Sequence, residues 1–323
     1  MSELFIPGRV LRPTNPWGAG HFWLNAGLVE AWGKTWLLAR VGRQPCMIFR
    51  LEMTPDGQFI NPMPLFGLSG SDIVAEDSRV IFDGHKLIVY YVGLLGPGQC
   101  AIFRGEVDRD GKVLRRDQLH WRDQRPFGVN GLQVMRAAFG IGEQKNWIPF
   151  IQGGREYCIY HHAPWMILEW TGNGLRLAHK GPSLVWDYGE IRGGAPPIKI
   201  GNRWHSIFHS AQFESENGKE TKVYYAGVLT FDDDFRVDRI TAKPIMGGNV
   251  AAGNWPWSPP QGAAVAACFP CGAIRRNESL LVSYGWLDAE VRVAEIPVAE
   301  IESQLVDLEP TSFRPKIQDE TMI

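Results

Sequence analysis

One pattern recurs five times along this chain and limits what it can fold into. An apolar strand meets a short polar turn, a second strand rich in Trp, Leu, Ile or Tyr follows, and a further strand comes after a loop. The copies read LVEAWGKTWLLARV then CMIFRLEM, RVIFDGHKLIVYYVG then CAIFRGEV, WIPFIQGGREYCIYHH then WMILEWT, PPIKIGNRWHSIFHS then KVYYAGVLTFD, and CGAIRRNESLLVSYG then VRVAEIP. Short apolar runs bounded by Gly, Asn and Asp turns are strand signals. Self-similarity at roughly 45 to 75 residues marks a propeller, with one sheet per repeat around a central channel. The expected fold is an all-β, five-bladed β-propeller. A sandwich of several sheets competes with it, because the pattern alone does not require closure. Helical spacing appears only in PVAEIESQLVDLEP, through Val298, Ile301, Leu305 and Leu308. The expected organisation is one propeller domain over residues 1–299 and a short C-terminal helix or tail over 300–323, since an all-β chain of 323 residues fits a single unit.

Charge and composition exclude several classes. The net charge is −2 with both signs dispersed, so the basic stripe of a nucleic-acid binder is missing. No apolar run approaches the ~18–20 residues that span a bilayer. The N-terminal MSELFIPGRVLRP lacks a charged segment followed by an apolar one, so no signal peptide is expected. Five cysteines, an odd number scattered through apolar runs, fit reduced thiols and a cytoplasmic setting. Cys268 and Cys271 have the spacing of a redox or zinc pair, but no second pair matches them and they read as structural. Neither a metal nor another cofactor is expected. His120 and His179 read as loop residues.

In a propeller the inner strands converge on the axis, and the loops before them meet at one mouth. Polar residues flank these strands in every copy: Arg40 in the first; Glu76, Asp77 and Arg79 in the second; Lys145, Asn146, Trp147, His161 and His162 in the third; Arg192 and His209 in the fourth; Tyr284, Trp286 and Asp288 in the fifth. Ionisable and hydrogen-bonding groups beside aromatic faces suit a polyhydroxylated ligand. Two carboxylates are the minimal equipment for breaking a glycosidic bond, one protonating the leaving oxygen and the other activating the incoming group. Asp77 is the candidate acid. Glu76 is its neighbour and points to the other face of a strand, so it braces rather than pairs. The partner is expected from another blade, at Glu190 or Asp288. The 13 tryptophans are mostly core, with Trp36 and Trp204 in mid-strand. Trp23, Trp147, Trp165, Trp186, Trp257 and Trp286 are the candidates for stacking on sugar.

The ordered set of N-A-G from Asn25, LLAR ending at Arg40, E-D-S-R at 76–79, K-N-W-I-P-F at 145–150, Y-H-H-A-P at 160–164, R-G-G-A-P-P at 192–197, I-F-H-S around His209, Y-Y-A-G-V-L-T-F-D at 224–232, F-P-C-G at 269–272 and S-Y-G-W-L-D at 283–288 resembles glycoside hydrolase family 130, the β-mannoside phosphorylases and β-mannosidases. The resemblance covers roughly residues 15 to 297. It implies a five-bladed propeller and an inverting reaction on β-linked mannosides. It implies that Asp77 is the acid of an E-D-P-R motif in which Ser78 replaces the proline. It implies that Asp288, Asn25 and Arg40 line the sugar pocket, and that Lys145 and His209 match positions holding phosphate in the phosphorylases. No basic residue precedes Arg104 in the outer half of the second copy, where those enzymes carry a further arginine. The leading expectation is therefore an inverting β-mannosidase with Glu190 as base. The alternatives are a phosphorylase using inorganic phosphate, a β-mannosyltransferase, and a non-catalytic sugar-binding propeller. The expected partner is a β-mannoside oligosaccharide or glycoconjugate, and self-association is left open.

Overall fold

The computed structural model describes residues 3–18, 20–42, 46–67, 75–96, 99–119, 146–216, 219–248 and 264–308. Strand β1 (Arg9–Leu11) precedes five sheets. The first sheet is a meander of β2 (Trp23–Ala31), β3 (Lys34–Val41), β4 (Met47–Met53) and β5 (Phe59–Phe66). The second repeats it with β6 (Ala75–Phe82), β7 (Leu87–Gly96), β8 (Gln99–Val107) and β9 (Val113–Leu119), and the third with β10 (Ile148–Gln152), β11 (Arg155–His162), β12 (Trp165–Trp170) and β13 (Leu175–Lys180). The fourth sheet contains β14 (Arg192–Gly193), β15 (Ile198–Ile200), β16 (Arg203–Glu216), β17 (Lys219–Phe231), β18 (Val237–Thr241), β19 (Met246–Gly247) and β20 (Ala264–Ala266). The fifth has β21 (Cys268–Arg276), β22 (Ser279–Trp286) and β23 (Glu290–Pro297). Helix α1 (Val298–Gln304) follows, and β24 (Leu305–Asp307) joins the fourth sheet beside β18.

The strand–turn–strand units read from the sequence all form antiparallel hairpins. Five apolar clusters then fill the spaces between neighbouring sheets and carry the ring back to its start. One joins the first and second sheets, through Leu38, Ile48, Val80 and Val89. Others join the second to the third, the third to the fourth and the fourth to the fifth. The last joins the fifth to the first, through Leu281, Val293, Leu28 and Leu37. Because each sheet is covered on both faces, inner strands such as β2 are buried nearly end to end rather than on alternate residues.

This is an all-β propeller arrangement, but the expectation of five like blades needs correction. Four sheets have the regular four strands, and the remaining one has eight. The reason is the length of the β16–β17 hairpin, whose partners pair from Trp204 with Phe231 out to Glu216 with Lys219. One short strand cannot satisfy the edge of so long a ribbon. Strands β14 and β15 therefore share one edge, and β18, β19 and β20 share the other. The fifth sheet is completed from the opposite end of the chain, since β1 pairs with β23. Glu3 anchors that N-terminal segment by accepting hydrogen bonds from Tyr284 Oη at 2.6 Å, from Arg12 at 2.9 Å and from Arg292. The expected C-terminal helix is shorter than its pattern and gives way to β24 at Leu305. His179 stands in β13 rather than in a loop, and His120 lies outside the described residues. No helix among the described residues is long and apolar enough to cross a membrane.

Candidate active site

The inner strands of the first two sheets break their ladders at corresponding places. In β6 the pairing with β7 shifts between Glu76 and Arg79, and in β2 the pairing with β3 shifts between Leu24 and Gly27. Such bulges re-aim side chains out of the pleat. The re-aimed residues are Asp77 and Asn25, both in left-handed backbone at φ 51° and 47°. Asp and Asn are the non-glycine residues that best tolerate this region. A second left-handed carboxylate, Asp288 at φ 48°, follows the end of β22. Asn25 Nδ2 donates to Asp77 Oδ1 at 2.8 Å, and Arg40 Nη1 reaches the same oxygen at 3.4 Å. Arg40 Nη2 lies 3.2 Å from Glu76 Oε1, so one guanidinium holds both neighbouring carboxylates. Burial works against the Arg40 charge, yet Asp77 and then Glu76 outweigh it and push its pKa above the usual value. Both donors fall on Oδ1, which leaves Asp77 Oδ2 without a donor among the described residues.

Behind Asp77 the chain continues into two buried anchors. Ser78 is fully buried and its hydroxyl donates to Leu38 O of the first sheet at 2.6 Å. Arg79 is 1% exposed, and its Nη1 donates to the Asp77 carbonyl at 2.7 Å. Its Nε donates to Gly194 O at 3.1 Å and its Nη2 to Asn146 Oδ1 at 3.1 Å. A single side chain thus joins the second, third and fourth sheets directly beneath the candidate acid. Asn146 serves that scaffold. Gly193 and Gly194 permit the approach, because a Cβ on either would lie 1.9 Å from Asn146 O and 2.3 Å from Ile207 O, respectively.

The fourth sheet supplies the cations. Arg192 on β14 stands opposite His209 on β16. His209 is 1% exposed, with its ring 4.4 Å from Phe269 and stacked 6.0 Å from Tyr224. Burial, followed by the charges of Arg79 and Arg192, holds its pKa well below the usual range, so the imidazole is neutral. Glu190 Oε2 is 3.0 Å from Arg192 Nη2, with both side chains about half exposed. Lys222 Nζ sits 5.4 Å over the Tyr224 ring. Burial and then Arg192 lower the Lys222 pKa against the opposing pull of Glu190. The Tyr224 phenol is raised by burial, then by Asp288 and by Asp77, with Arg192 opposing. The cations therefore share their electrostatic environment with the two left-handed carboxylates. Lys222 and Tyr224 were not singled out as site residues in the sequence, although Tyr224 opens the Y-Y-A-G-V-L-T-F-D segment. They lie two residues apart on β17 and so on one face, but nothing in KVYYAG distinguishes that face from a covered one.

Several expected contacts fall elsewhere. Trp147 and Trp286 are 4% and 6% exposed and pack in the cores between sheets, so neither offers a face for a sugar to stack on. Tyr284 is fully buried, with its hydroxyl on Glu3, and belongs to the N-terminal anchor rather than the site. Trp23, Trp165 and Trp186 are also buried, as are Trp36 and Trp204, and Trp257 lies outside the described residues. His161 is half-buried at the β11–β12 turn, where its Nδ1 accepts from the Ala163 N–H at 3.1 Å. Its neighbour His162 points the other way into the core. Lys145 lies outside the described residues. Cys46, Cys158, Cys268 and Cys271 are buried free thiols. No group of three or more His, Cys, Asp or Glu among the described residues could hold a metal ion.

Residues 167–306 match the family model for glycoside hydrolase family 130, described as beta-1,4-mannooligosaccharide phosphorylase. Among solved structures, a β-1,2-mannobiose phosphorylase from Listeria innocua in complex with β-1,2-mannobiose superposes with a TM-score of 0.62 at 15% identity, covering 91% of this chain and 96% of that one. MPT-4, a mannose phosphorylase from Leishmania mexicana in complex with phosphate, gives a TM-score of 0.60 at 13% identity, with 95% and 94% covered. A third, from work on family members that are glycoside hydrolases targeting β-1,2 mannosidic linkages in Candida mannan, gives 0.62 at 13% identity, with 94% and 89% covered. No curated protein matches the sequence at a significant level. At these identities the structures share the fold.

Proposed function

We propose that this chain, whose residues 167–306 match the model of glycoside hydrolase family 130, is a member of that family and cleaves β-mannosides by inverting phosphorolysis. The observation that carries this reading is the cationic pair of Arg192 and Lys222 on the fourth sheet, Arg192 paired with His209 and Lys222 lying over the Tyr224 ring that stacks with His209. A phosphate dianion needs several charge-assisted donors. The sequence leaned towards hydrolysis because the second repeat lacks a basic residue near Gln99; Lys222 supplies a cation from the fourth sheet instead. Two of the similar structures are mannose-acting phosphorylases, one of them holding phosphate.

In this reading the eight-stranded sheet is the fifth blade, and residues 1–299 act as one catalytic unit with the tail over 300–323. Asp77 supplies the proton to the leaving glycosidic oxygen, directly or through a sugar hydroxyl. Asn25 and Arg40 hold its Oδ1, so Oδ2 is the oxygen that delivers the proton. Asp288 binds the mannose whose bond is broken. Phosphate, held by Arg192 and Lys222, attacks the anomeric carbon from the face opposite the leaving group. The C–O bond to the leaving sugar breaks as the C–O bond to phosphate forms, and inversion gives α-mannose 1-phosphate. One observation favours hydrolysis: Glu190 presents a carboxylate beside Arg192, where a water could be activated.

The test is incubation with β-1,2- and β-1,4-mannobiose, with and without phosphate, beside Asp77→Asn. Mannose 1-phosphate that requires phosphate and is lost in the variant is the expected result. Free mannose formed equally without phosphate would replace phosphorolysis by hydrolysis.

A further inference from the structure

The described tryptophans that the sequence offered as sugar platforms are buried, yet the structure leaves one aromatic ring open on the strands that carry the site. Phe213 is 59% exposed on β16. It is directly opposite Lys222 on β17, and Ala211 is opposite Tyr224 and His209 opposite Ala226. Directly paired residues share one face of a sheet, as do residues two apart along a strand. His209, Tyr224, Lys222 and Phe213 therefore lie along a single face of the hairpin. Exposure rises along it, from His209 at 1% through half-buried Tyr224 to Phe213 at 59%. At about 7 Å for every two residues, Phe213 stands roughly 13 Å beyond His209 along the strand. That is further than one pyranose ring from the reacting centre.

Contacts among the described residues leave the ring uncovered. Lys222 leans back over Tyr224 rather than across Phe213. The other strongly exposed phenylalanine among the described residues, Phe5, is packed 6.4 Å from Tyr225, whose side chain belongs to the opposite face of β17. Phe213 has no such ring partner among the described residues. A flat apolar face continuous with a row of hydrogen-bonding and cationic groups suits a pyranose ring, which presents C–H groups on one face and hydroxyls at its edge.

We propose that Phe213 is a stacking platform for a sugar unit beyond the cleaved bond, so that the enzyme prefers β-mannooligosaccharides of three or more units to disaccharides. This rests on the reading of Asp77 and the Arg192–Lys222 pair as the reacting centre. It adds a distal subsite on the β16–β17 hairpin and sets the length of the substrate.

The experiment compares β-linked mannobiose and mannotriose on the wild-type protein, Phe213→Ala and Phe213→Tyr. KM is read by turnover with phosphate, and binding is read separately by calorimetry on the same three proteins carrying Asp77→Asn. The expected result is a preference of the wild type for the trisaccharide of about tenfold, the size of one well-packed ring contact. Phe213→Ala should collapse this preference and Phe213→Tyr should retain it. A wild type without length preference, or a preference that survives in Phe213→Ala, overturns the proposal. Binding that follows this pattern without turnover would retain the subsite and reject the reaction. A change of oligomeric state in Phe213→Ala with sugar binding unaltered would assign the ring to self-association and also overturn it.

Discussion

Asn25 and Asp77 meet across two sheets, the amide donating to the carboxylate at 2.8 Å, and each projects from a bulge in left-handed backbone. Asn25 has its own geometric support. A Cβ on Gly285 would lie 2.0 Å from Asn25 Oδ1, so the glycine of the S-Y-G-W segment leaves the space that the amide occupies. The candidate acid is therefore held by a two-step relay from the fifth sheet through the first to the second. Removing the Asn25 amide takes away a hydrogen bond to a charged group, about 1.5–3 kcal/mol. Asn25→Ala should lower kcat/KM by about 10- to 100-fold, the rate equivalent of that energy. Gly285→Ala should reproduce the loss by displacing the same amide, and the double variant should add little to either. Steady-state kinetics on the three proteins decides this, and additive losses would break the relay.

Arg79 should matter more for folding than a surface arginine does. It is buried and donates to the carbonyls of Asp77 and Gly194 and to the Asn146 amide oxygen. Arg79→Met leaves these acceptors buried and unpaired, at about 1–3 kcal/mol each. A loss of at least about 3 kcal/mol in denaturant unfolding is expected on that scale. Arg79→Lys should not restore it, because an ammonium lacks the planar fork that reaches three sheets.

If phosphate is held by charge-assisted contacts, Lys222→Met and Arg192→Ala should each raise the KM for phosphate by about tenfold, equivalent to about 1.4 kcal/mol. The KM for the sugar should move much less. Initial rates at varied phosphate read this directly, and an equal rise in both constants would place the two cations on the sugar instead.

Stability should fall in acid through the buried histidines. Burial, with a further contribution from His161, depresses the His162 pKa from 6.5 to about 3. Between those values the unfolded chain binds a proton that the folded chain excludes. The folded state is therefore fully stable with respect to this group above pH 6.5 and loses stability as pH falls towards 3. The slope from one such group approaches about 1.4 kcal/mol per pH unit. His209, shifted the same way, adds to it. Relative to wild type, His162→Gln should lose less stability between pH 7 and pH 5 in denaturant unfolding, and an unchanged slope would contradict this.

Ser78 gives a smaller and separate effect. Its hydroxyl ties β6 to β3 through Leu38 O, a bond a proline at that place could not donate. Ser78→Ala should cost about 1 kcal/mol, near 2 °C in melting temperature for a chain of this size. Thermal unfolding measures it.

The strands of this protein were legible in its sequence because a strand–turn–strand unit is local: apolar runs and Gly, Asn and Asp turns sit within a few residues of each other. The hairpins from β2–β3 to β21–β22 follow from that signal alone. Asp77, Asn25, Arg40 and Asp288 could be picked out because they stand at strand ends in recognisable segments. Which face of each strand stays open was not legible. That depends on the neighbouring sheet, and sheets on both sides bury Trp147 and Trp286 while the overhanging β16–β17 hairpin leaves Phe213 bare. The pairing of β1 with β23 and the reach of Arg79 across three sheets join residues far apart in the chain. Chain order says nothing about such distances until the ring closes, so the sequence by itself determined the strands and the candidate acid. Tertiary packing decided which residues surround that acid and which are sealed inside the cores.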